Sequence, residues 1–351
     1  MKKRVITRTV WVVSLVSLFT DVASEMLYPV MPVYLKSIGF SVVLIGILEG
    51  LAEATAGLSK GYFGHWSDRI GKRVPFIRAG YSLSAISKPM MALLTVPLWV
   101  FFARTLDRFG KGIRTSARDA LLSAETTPEH KGKVFGFHRS MDTVGAAIGP
   151  ILALIFLHFY PGEYQWMFII AFFPGILSIL LTFLLRDRPI PTSSNHQIIK
   201  SSNPQIPTSS NHFFSYFSYW KRAPKAFRFL VTGLLAFALF NSSDAFLLLA
   251  LKEQGLSDSW MIGVYIFYNL VYAIFSYPIG IVADKIGLKT MLITGILIFS
   301  GVYAAIGFTT TLTFFGVLFF FYGIYAACTE GMSKALISNI SDKKDTATAL
   351  G

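Results

Sequence analysis

Charge and cysteine are scarce in this sequence of 351 residues. Only 15% of the residues are charged, whereas a soluble domain carries about 25%. The single cysteine, Cys328, excludes an intramolecular disulfide and a metal cluster built on several cysteines. It lies in a hydrophobic run, where a small buried side chain is expected rather than a nucleophile. The deficit of charge predicts a membrane protein.

Several catalytic signatures are also absent. The sequence has no P-loop, which argues against an ATP-driven pump unless a separate subunit supplies the ATPase. It has no metal-ligand triad and no stretch that reads as a soluble domain. These absences weigh against a membrane enzyme such as an intramembrane hydrolase or acyltransferase. We therefore predict a protein that is not an enzyme and uses no cofactor and no metal.

Long apolar runs make up most of the chain, which is 53% hydrophobic. Each run has about 20 residues, the length that crosses roughly 30 Å of hydrocarbon. The first run contains Asp21 and Glu25 and lacks a cleavage site, so it is a retained helix and no signal peptide. We place ten spans at residues 10–34, 43–63, 75–95, 97–118, 135–157, 165–185, 226–249, 260–281, 289–309 and 312–336.

The basic residues follow a pattern that orients these spans. The net charge is +13, and the basic connectors, such as SDRIGKR, PEHKGK and DKIGLK, follow even-numbered spans. Cytoplasmic loops carry an excess of lysine and arginine. We therefore predict a multi-pass protein of the plasma or inner membrane with a cytoplasmic N-terminus. The same pattern explains the basic composition without a nucleic-acid partner.

The longest connector, residues 189–225, is rich in Pro, Ser and Asn and divides the chain. It contains the heptamer IPTSSNH twice, at Ile190–His196 and Ile206–His212. The histidines allow a metal-binding tract, but no acidic or cysteine ligand accompanies them, so a disordered cytoplasmic linker is favoured. Residues 1–188 then form a six-helix bundle, and residues 226–351 form an incomplete bundle of four helices.

The two halves resemble each other at an offset of 216 residues. A duplication across six spans leaves both copies in the same orientation, which is the parallel-repeat architecture of some secondary transporters. The matching positions of one stretch are Gly64, Asp68, Ile70 and Gly71, which recur as Gly280, Asp284, Ile286 and Gly287. In the preceding loop, Gly39 recurs as Gly255.

Three motifs resemble those of the major facilitator superfamily. Gly64–Arg73, GHWSDRIGKR, is similar to the signature of the loop between spans 2 and 3, and Gly280–Lys289 is a weaker copy. Arg104–Gly112 resembles the R-x-L-x-G-x-G-x-G motif of span 4, with Arg108 in place of a glycine. Gly145–Pro150 resembles the G-x-x-x-G-P motif associated with exporters, although the glycines that should follow are absent.

The resemblance implies an all-α membrane bundle of two parallel-repeat halves that rock about a central site. It also implies a conformational latch, in which Asp68 meets the positive end of an eleventh helix. The family has twelve spans and this chain has ten, so we expect a truncated sequence whose partner for Asp68 lies beyond Gly351. The copy in the second half is expected to be a relic of duplication. The latch residues are Gly64, Asp68, Arg69, Gly71 and Arg73, with Gly280, Asp284 and Gly287, and the hinge or packing residues are Gly145, Gly149 and Pro150.

Polar groups at mid-membrane depth are costly unless they face a partner or a water-filled cavity. By depth, we predict a pathway for solute and protons that is lined by Asp21, Glu25, Glu49, Glu53, Arg104, Asp107, Arg108, His138, Asp142, Asn241, Asp244, Asn269 and Glu330. The alternative is that the acids of spans 1 and 2 form structural ion pairs with Arg104 and Arg108. His138 is either a proton relay with Asp142 or an interfacial residue. Acids outnumber bases among these groups, which favours a cationic solute or proton coupling.

The sequence therefore predicts a secondary active transporter of a small solute that works by alternating access as a monomer. A proton is the expected co-substrate, and export is the favoured direction. The alternative is a receptor, scaffold or inactive truncated transporter in the membrane that moves no solute.

Overall fold

A computed structural model describes residues 5–28, 30–187, 215–241, 247, 255, 258–308 and 312–351 of the chain. All regular structure in these residues is helical, so the all-α prediction is confirmed for them. The helices are α1 Arg8–Glu25, α2 Met31–Ser37, α3 Val42–Ile70, α4 Val74–Leu93, α5 Pro97–Ala124, α6 Lys131–Phe159, α7 Tyr164–Thr182, α8 Ser218–Arg222, α9 Lys225–Phe240, α10 Asp258–Ile286, α11 Leu288–Phe308, α12 Leu312–Ile340 and α13 Thr346–Leu350.

Each predicted span overlaps one of these helices, and the first span is divided between α1 and α2. The seventh span is helical as far as Phe240, and residues 242–246 and 248–249 of it lie outside the described residues. Among the described residues, six stretches are long and apolar enough to cross a membrane: Val42–Ile70, Pro128–Phe159, Tyr164–Thr182, Trp260–Ile286, Leu288–Phe308 and Phe314–Ile340. Helix α5 is not among them because charged residues recur along it from Arg104 to Asp119. The count of ten membrane-spanning helices stays a prediction.

The repeat between the halves is visible in the backbone. Gly39 and Gly255 have φ angles of +95° and +94°, and Gly71 and Gly287 have +71° and +99°. These left-handed conformations favour glycine because it has no Cβ. The turns that end α3 and α10 therefore have the same conformation at the same offset, as expected for a duplicated unit.

Helix α6 packs closely against both halves of the molecule. Toward α1, a Cβ on Gly149 would lie 2.6 Å from the backbone nitrogen of Met26. Toward α10, a Cβ on Gly136 would lie 2.5 Å from the carbonyl oxygen of Ser276, and one on Gly280 would overlap the carbonyl oxygen of Gly132. Small residues permit this approach of helix backbones. Gly145 likewise abuts α1, so the motif that contains Gly145, Gly149 and Pro150 is a packing surface for α1.

The buried apolar side chains show how the halves are joined. One cluster combines residues of α1, α4, α5 and α6 with Ala283 of α10 and Met332 of α12, so it crosses between the halves. A second cluster, around Met91 and Phe168, belongs to the N-terminal half alone. A third, around Tyr322, belongs to the C-terminal half. The halves therefore share a core at the end where α3 and α10 terminate and have separate cores toward the other end.

Part of the predicted linker is folded. Residues 215–217 form a 3-10 turn that leads into α8, and the side chains of Tyr219, Ala223 and Phe227 pack against Ala349 of α13. The expectation of disorder is therefore wrong for residues 215–225, because aromatic residues there have an apolar surface to cover. Both IPTSSNH heptamers lie outside the described residues.

We predict that Gly280→Val destabilises the protein, because the added side chain would displace Gly132 of α6. Overpacking of this kind costs about 1–3 kcal/mol, which a lower thermal unfolding midpoint in detergent micelles will report. Gly263→Val on the same helix is the matched control, since a Cβ there meets nothing within 4 Å. An equal loss in both variants would show that helix propensity, and not the α6–α10 contact, is responsible.

Candidate transport site

A cavity of about 360 Å³ lies between the two halves. The N-terminal half contributes residues of α1, α3, α5 and α6, and the C-terminal half contributes residues of α10 and α12. The lining residues are Asp21, Glu25, Lys60, Lys111, Arg114, Thr115, Arg118, Arg139, Asp142, Thr143, Ala146, Tyr265, Tyr268, Asn269, Tyr272, Glu330 and Lys334. Both halves thus line one polar space.

The structure brings together some of the predicted pathway residues and separates others. Those that line the cavity are Asp21, Glu25, Asp142, Asn269 and Glu330. Those that lie outside its lining are Glu49, Glu53, Arg104, Asp107, Arg108, His138 and Asn241. Asp244 lies outside the described residues.

Most of the predicted pathway residues that lie outside the cavity take part in ion pairs between α3, α4 and α5. The guanidinium of Arg104 contacts both carboxylate oxygens of Glu49, at 2.9 and 3.1 Å, and Arg108 Nε lies 3.2 Å from Glu53 Oε1. Lys88 of α4, buried in an apolar helix, lies 2.7 Å from Asp107 Oδ1. The ion-pair interpretation thus describes the acids of span 2, whereas those of span 1 face the cavity.

Asp142 is the centre of a second set of charges. Its Oδ1 accepts a hydrogen bond from Ser17 Oγ at 2.5 Å, and its Oδ2 accepts one from Arg139 Nη1 at 2.8 Å. Arg118 lies 3.9 Å from Asp142 and 2.9 Å from Asp119. These contacts join α1, α5 and α6 at one wall of the cavity.

The carboxyl groups of Asp21 and Asp142 are neighbours in the lining of the cavity. Two neighbouring carboxylates repel each other when both are ionised, so a proton shared between them would lower that cost. Gly145 permits the contact, since a Cβ there would lie 3.0 Å from the Cβ of Asp21. The pair is therefore a candidate site for one proton.

His138 is buried one turn from Asp142 and is not among the residues that line the cavity. Its Nδ1 lies 3.3 Å from Ser14 Oγ, and its Nε2 has no hydrogen-bond partner among the described residues. It is only 3% exposed, which argues against an interfacial position. A relay role for His138 stays a prediction.

Basic side chains outnumber acidic ones in the cavity. Six bases and four acids line it, so the expectation that acids dominate is wrong. The selection of pathway residues by their depth in each predicted span included Glu49, Glu53 and Asp107, which form ion pairs outside the cavity. It omitted the bases Lys60, Lys111, Arg114 and Arg118. A signal for three of these was present, because residues 111, 114 and 118 share one helix face.

Asp68 forms the latch contact within the described chain. Its Oδ1 accepts from the backbone N–H of Ala347 at 3.2 Å, and its Oδ2 accepts from the backbone N–H and the hydroxyl of Thr348, both at 2.6 Å. Asp68 also forms an ion pair with Arg73. The expectation that its partner lies beyond Gly351 is therefore wrong, because α13 already presents its first N–H groups.

The stretch GHWSDRIGKR is a connector only at its end. Residues 64–70 continue α3, and Gly71 alone takes the left-handed conformation that ends the helix. Gly64 serves the approach of α13, since a Cβ there would lie 2.5 Å from the carbonyl oxygen of Ala347. Arg69 is exposed in the last turn of α3.

The second copy of the motif makes the corresponding contact. Asp284 accepts hydrogen bonds from the backbone N–H groups of Gly132 at 2.7 Å and Lys133 at 2.9 Å, at the start of α6. Gly280 lies against Gly132 as Gly64 lies against Ala347. The copy is therefore an engaged contact between the halves, and the expectation of a relic is wrong. Each aspartate accepts hydrogen bonds from the backbone N–H groups at a helix start, which have no partner within the helix.

Comparison with known proteins decides the family. The sequence profile of the Major Facilitator Superfamily matches residues 13–351. The chain belongs to the Major Facilitator Superfamily. It is accordingly a multi-pass membrane protein and a transporter, not an enzyme.

Individual relatives agree with this assignment. An uncharacterized MFS-type transporter of Methanocaldococcus jannaschii is 31% identical over 99% of this chain and 84% of its own length. An uncharacterized protein of Mycobacterium tuberculosis is 30% identical over 57% of this chain and 49% of its own length. The solved structure of the human organic anion transporter MFSD10 has the same fold, with a TM-score of 0.70, 18% identity, and coverage of 98% of this chain and 88% of that one.

We predict that Asp107→Asn destabilises the protein by about 3–5 kcal/mol, because it leaves the buried Lys88 ammonium without its carboxylate. The double variant Lys88→Met/Asp107→Leu removes both charges and should recover most of that loss. Unfolding by denaturant in lipid bicelles measures all three proteins. If the double variant is as unstable as Asp107→Asn, the loss of stability does not come from the unpaired Lys88 charge, and this explanation is wrong.

Proposed function

We propose that this protein is a secondary active transporter that moves a small solute by alternating access, coupled to protons. The supporting observation is that the cavity between the halves is closed at one end by two aspartate latches and a shared apolar core. At the other end the halves have separate cores. With the N-terminus in the cytoplasm of the cell, the closed end faces the cytoplasm. Release of both latches would then open the cavity to the cytoplasm.

The Asp21–Asp142 pair is the proposed proton site. Loss of its proton leaves two adjacent carboxylates, whose repulsion a guanidinium can offset. Arg139, which is 2.8 Å from Asp142, also lies 3.7 Å from Glu330 of α12 and donates a hydrogen bond to Tyr272 of α10. Deprotonation would draw Arg139 toward the pair and weaken its contacts with the C-terminal half. Protonation is thereby linked to the contacts between halves.

Export is the proposed direction, and a monomer is the proposed functional unit. The partial G-x-x-x-G-P motif supports export. Its two glycines, Gly145 and Gly149, hold α6 against α1 beside Asp21, which places the motif at the proposed proton site.

Transport in proteoliposomes tests this proposal. A pool of radiolabelled small metabolites is screened with and without an imposed pH gradient, and the solute that moves is followed in variants. We predict that Asp21→Asn lowers gradient-driven accumulation by about an order of magnitude and leaves solute exchange at equal concentration largely intact. Glu53→Gln is the control, because Glu53 pairs with Arg108 outside the cavity.

Two results would contradict the proposal. If no solute moves under any gradient, the protein is not a secondary transporter. If Asp21→Asn accumulates solute as the unmodified protein does, the Asp21–Asp142 pair is not the coupling site.

A further inference from the structure

We infer that the cavity binds a small organic anion, an inference that rests on the proposed transport function. Its basis is the set of cations that the protein leaves without a carboxylate. Among the cavity bases, Arg118 and Arg139 pair with Asp142, and Lys334 lies 3.0 Å from Asp119. The described residues provide no ion pair for the other three, which are Lys60, Lys111 and Arg114.

Of the four cavity acids, Asp142 and Glu330 lie against Arg139. The two that remain, Asp21 and Glu25, form no ion pair with these three cations in the described part of the chain. Asp21 lies beside Asp142, and Glu25 accepts a hydrogen bond from Tyr265 at 3.0 Å. Cations removed from bulk water without a counter-charge are costly. An anionic solute that enters the cavity would offset that cost, whereas a cationic solute would increase it.

Close packing of α3 and α5 holds the two lysines at adjacent positions. At the crossing, a Cβ on Gly112 would lie 2.5 Å from the Cβ of Ser59, and Ser116 Oγ donates to the carbonyl oxygen of Lys60 at 3.1 Å. Lys60 and Lys111 are the neighbours of Ser59 and Gly112 in the sequence, so they flank the crossing. Two ammonium groups are thereby presented to one space, although like charges repel.

Arg114 is fixed in position before any solute arrives. Its Nη1 donates to Ser84 Oγ at 2.5 Å, and its guanidinium lies 4.5 Å from the centre of the Tyr81 ring. A guanidinium held by neutral groups keeps its full charge for an anion and loses little side-chain entropy on binding.

The opposite wall suits an uncharged molecular body. Helix α10 contributes Tyr265, Tyr268, Asn269 and Tyr272, which supply aromatic faces and an amide. An inorganic anion would leave this wall unused. The combination of three cations and an aromatic wall therefore fits a carboxylate on an apolar or aromatic body.

Binding to the purified protein in detergent tests the inference with defined probes. Benzoate and citrate are compared by calorimetry with benzamide and triethyl citrate, which are uncharged, and with benzylamine, which is cationic. We expect at least one anion to bind about tenfold or more tightly than its uncharged counterpart, because it alone gains a charge-assisted contact.

Substitutions then locate the site. Lys60→Met and Lys111→Met should each weaken the anion about tenfold, and Lys60→Arg should retain binding because it retains the charge. Lys36→Met, at an exposed position on α2, is the matched control and should bind as the unmodified protein does. Anion affinity that is the same in the Lys60 and Lys111 variants as in this control would overturn the assignment of these residues.

The inference and the transport function can fail separately. If benzylamine binds more tightly than both anions, or neither anion binds better than its uncharged counterpart, the anion inference is wrong, and gradient-driven transport of a cation in proteoliposomes would leave the transport function in place. If anions bind but no solute crosses the membrane, the transport function fails while the binding site stands.

Discussion

The arrangement of the two halves depends on one kind of hydrogen bond, from the first backbone N–H groups of a helix to an aspartate of the other half. Asp68 of α3 binds the start of α13, and Asp284 of α10 binds the start of α6. A helix start has free N–H groups and a partial positive charge, so a carboxylate there is stabilised by both. Glycines four residues earlier, Gly64 and Gly280, let the partner backbone come close enough.

Buried charges have two different roles in this molecule. In the ion-pair network of α3, α4 and α5, each charge has an opposite partner, as Lys88 has Asp107, and the network binds the N-terminal helices together. In the cavity, the charges of α3 and α5 are only partly neutralised, because Lys60, Lys111 and Arg114 have no carboxylate within ion-pair distance in the described chain. The first set is neutralised within the protein, whereas the second is the basis of the anion binding that we infer.

Hydropathy and the internal repeat predicted the helices and the parallel halves, because these follow from local composition and spacing. The resemblance to the family predicted Asp68 as a latch. They did not predict which charges meet. Glu25 and Glu49 have similar calculated depth, yet one reaches the cavity and the other pairs with Arg104, since the direction of each side chain depends on helix rotation. The partner of Asp284 was also not predicted, because Gly132 is distant in sequence and carries no side chain.

Distances between spin labels at the two ends of the molecule test the central claim, that the two aspartates hold the halves together at one end. The label pairs are Ile70 with Lys344 at the latch end and Lys36 with Phe308 at the opposite end. In Asp68→Ala/Asp284→Ala, the account predicts a new, longer distance at the latch end and a shorter one at the opposite end. If both distances keep the distribution of the unsubstituted protein, the latches do not control the relation between the halves.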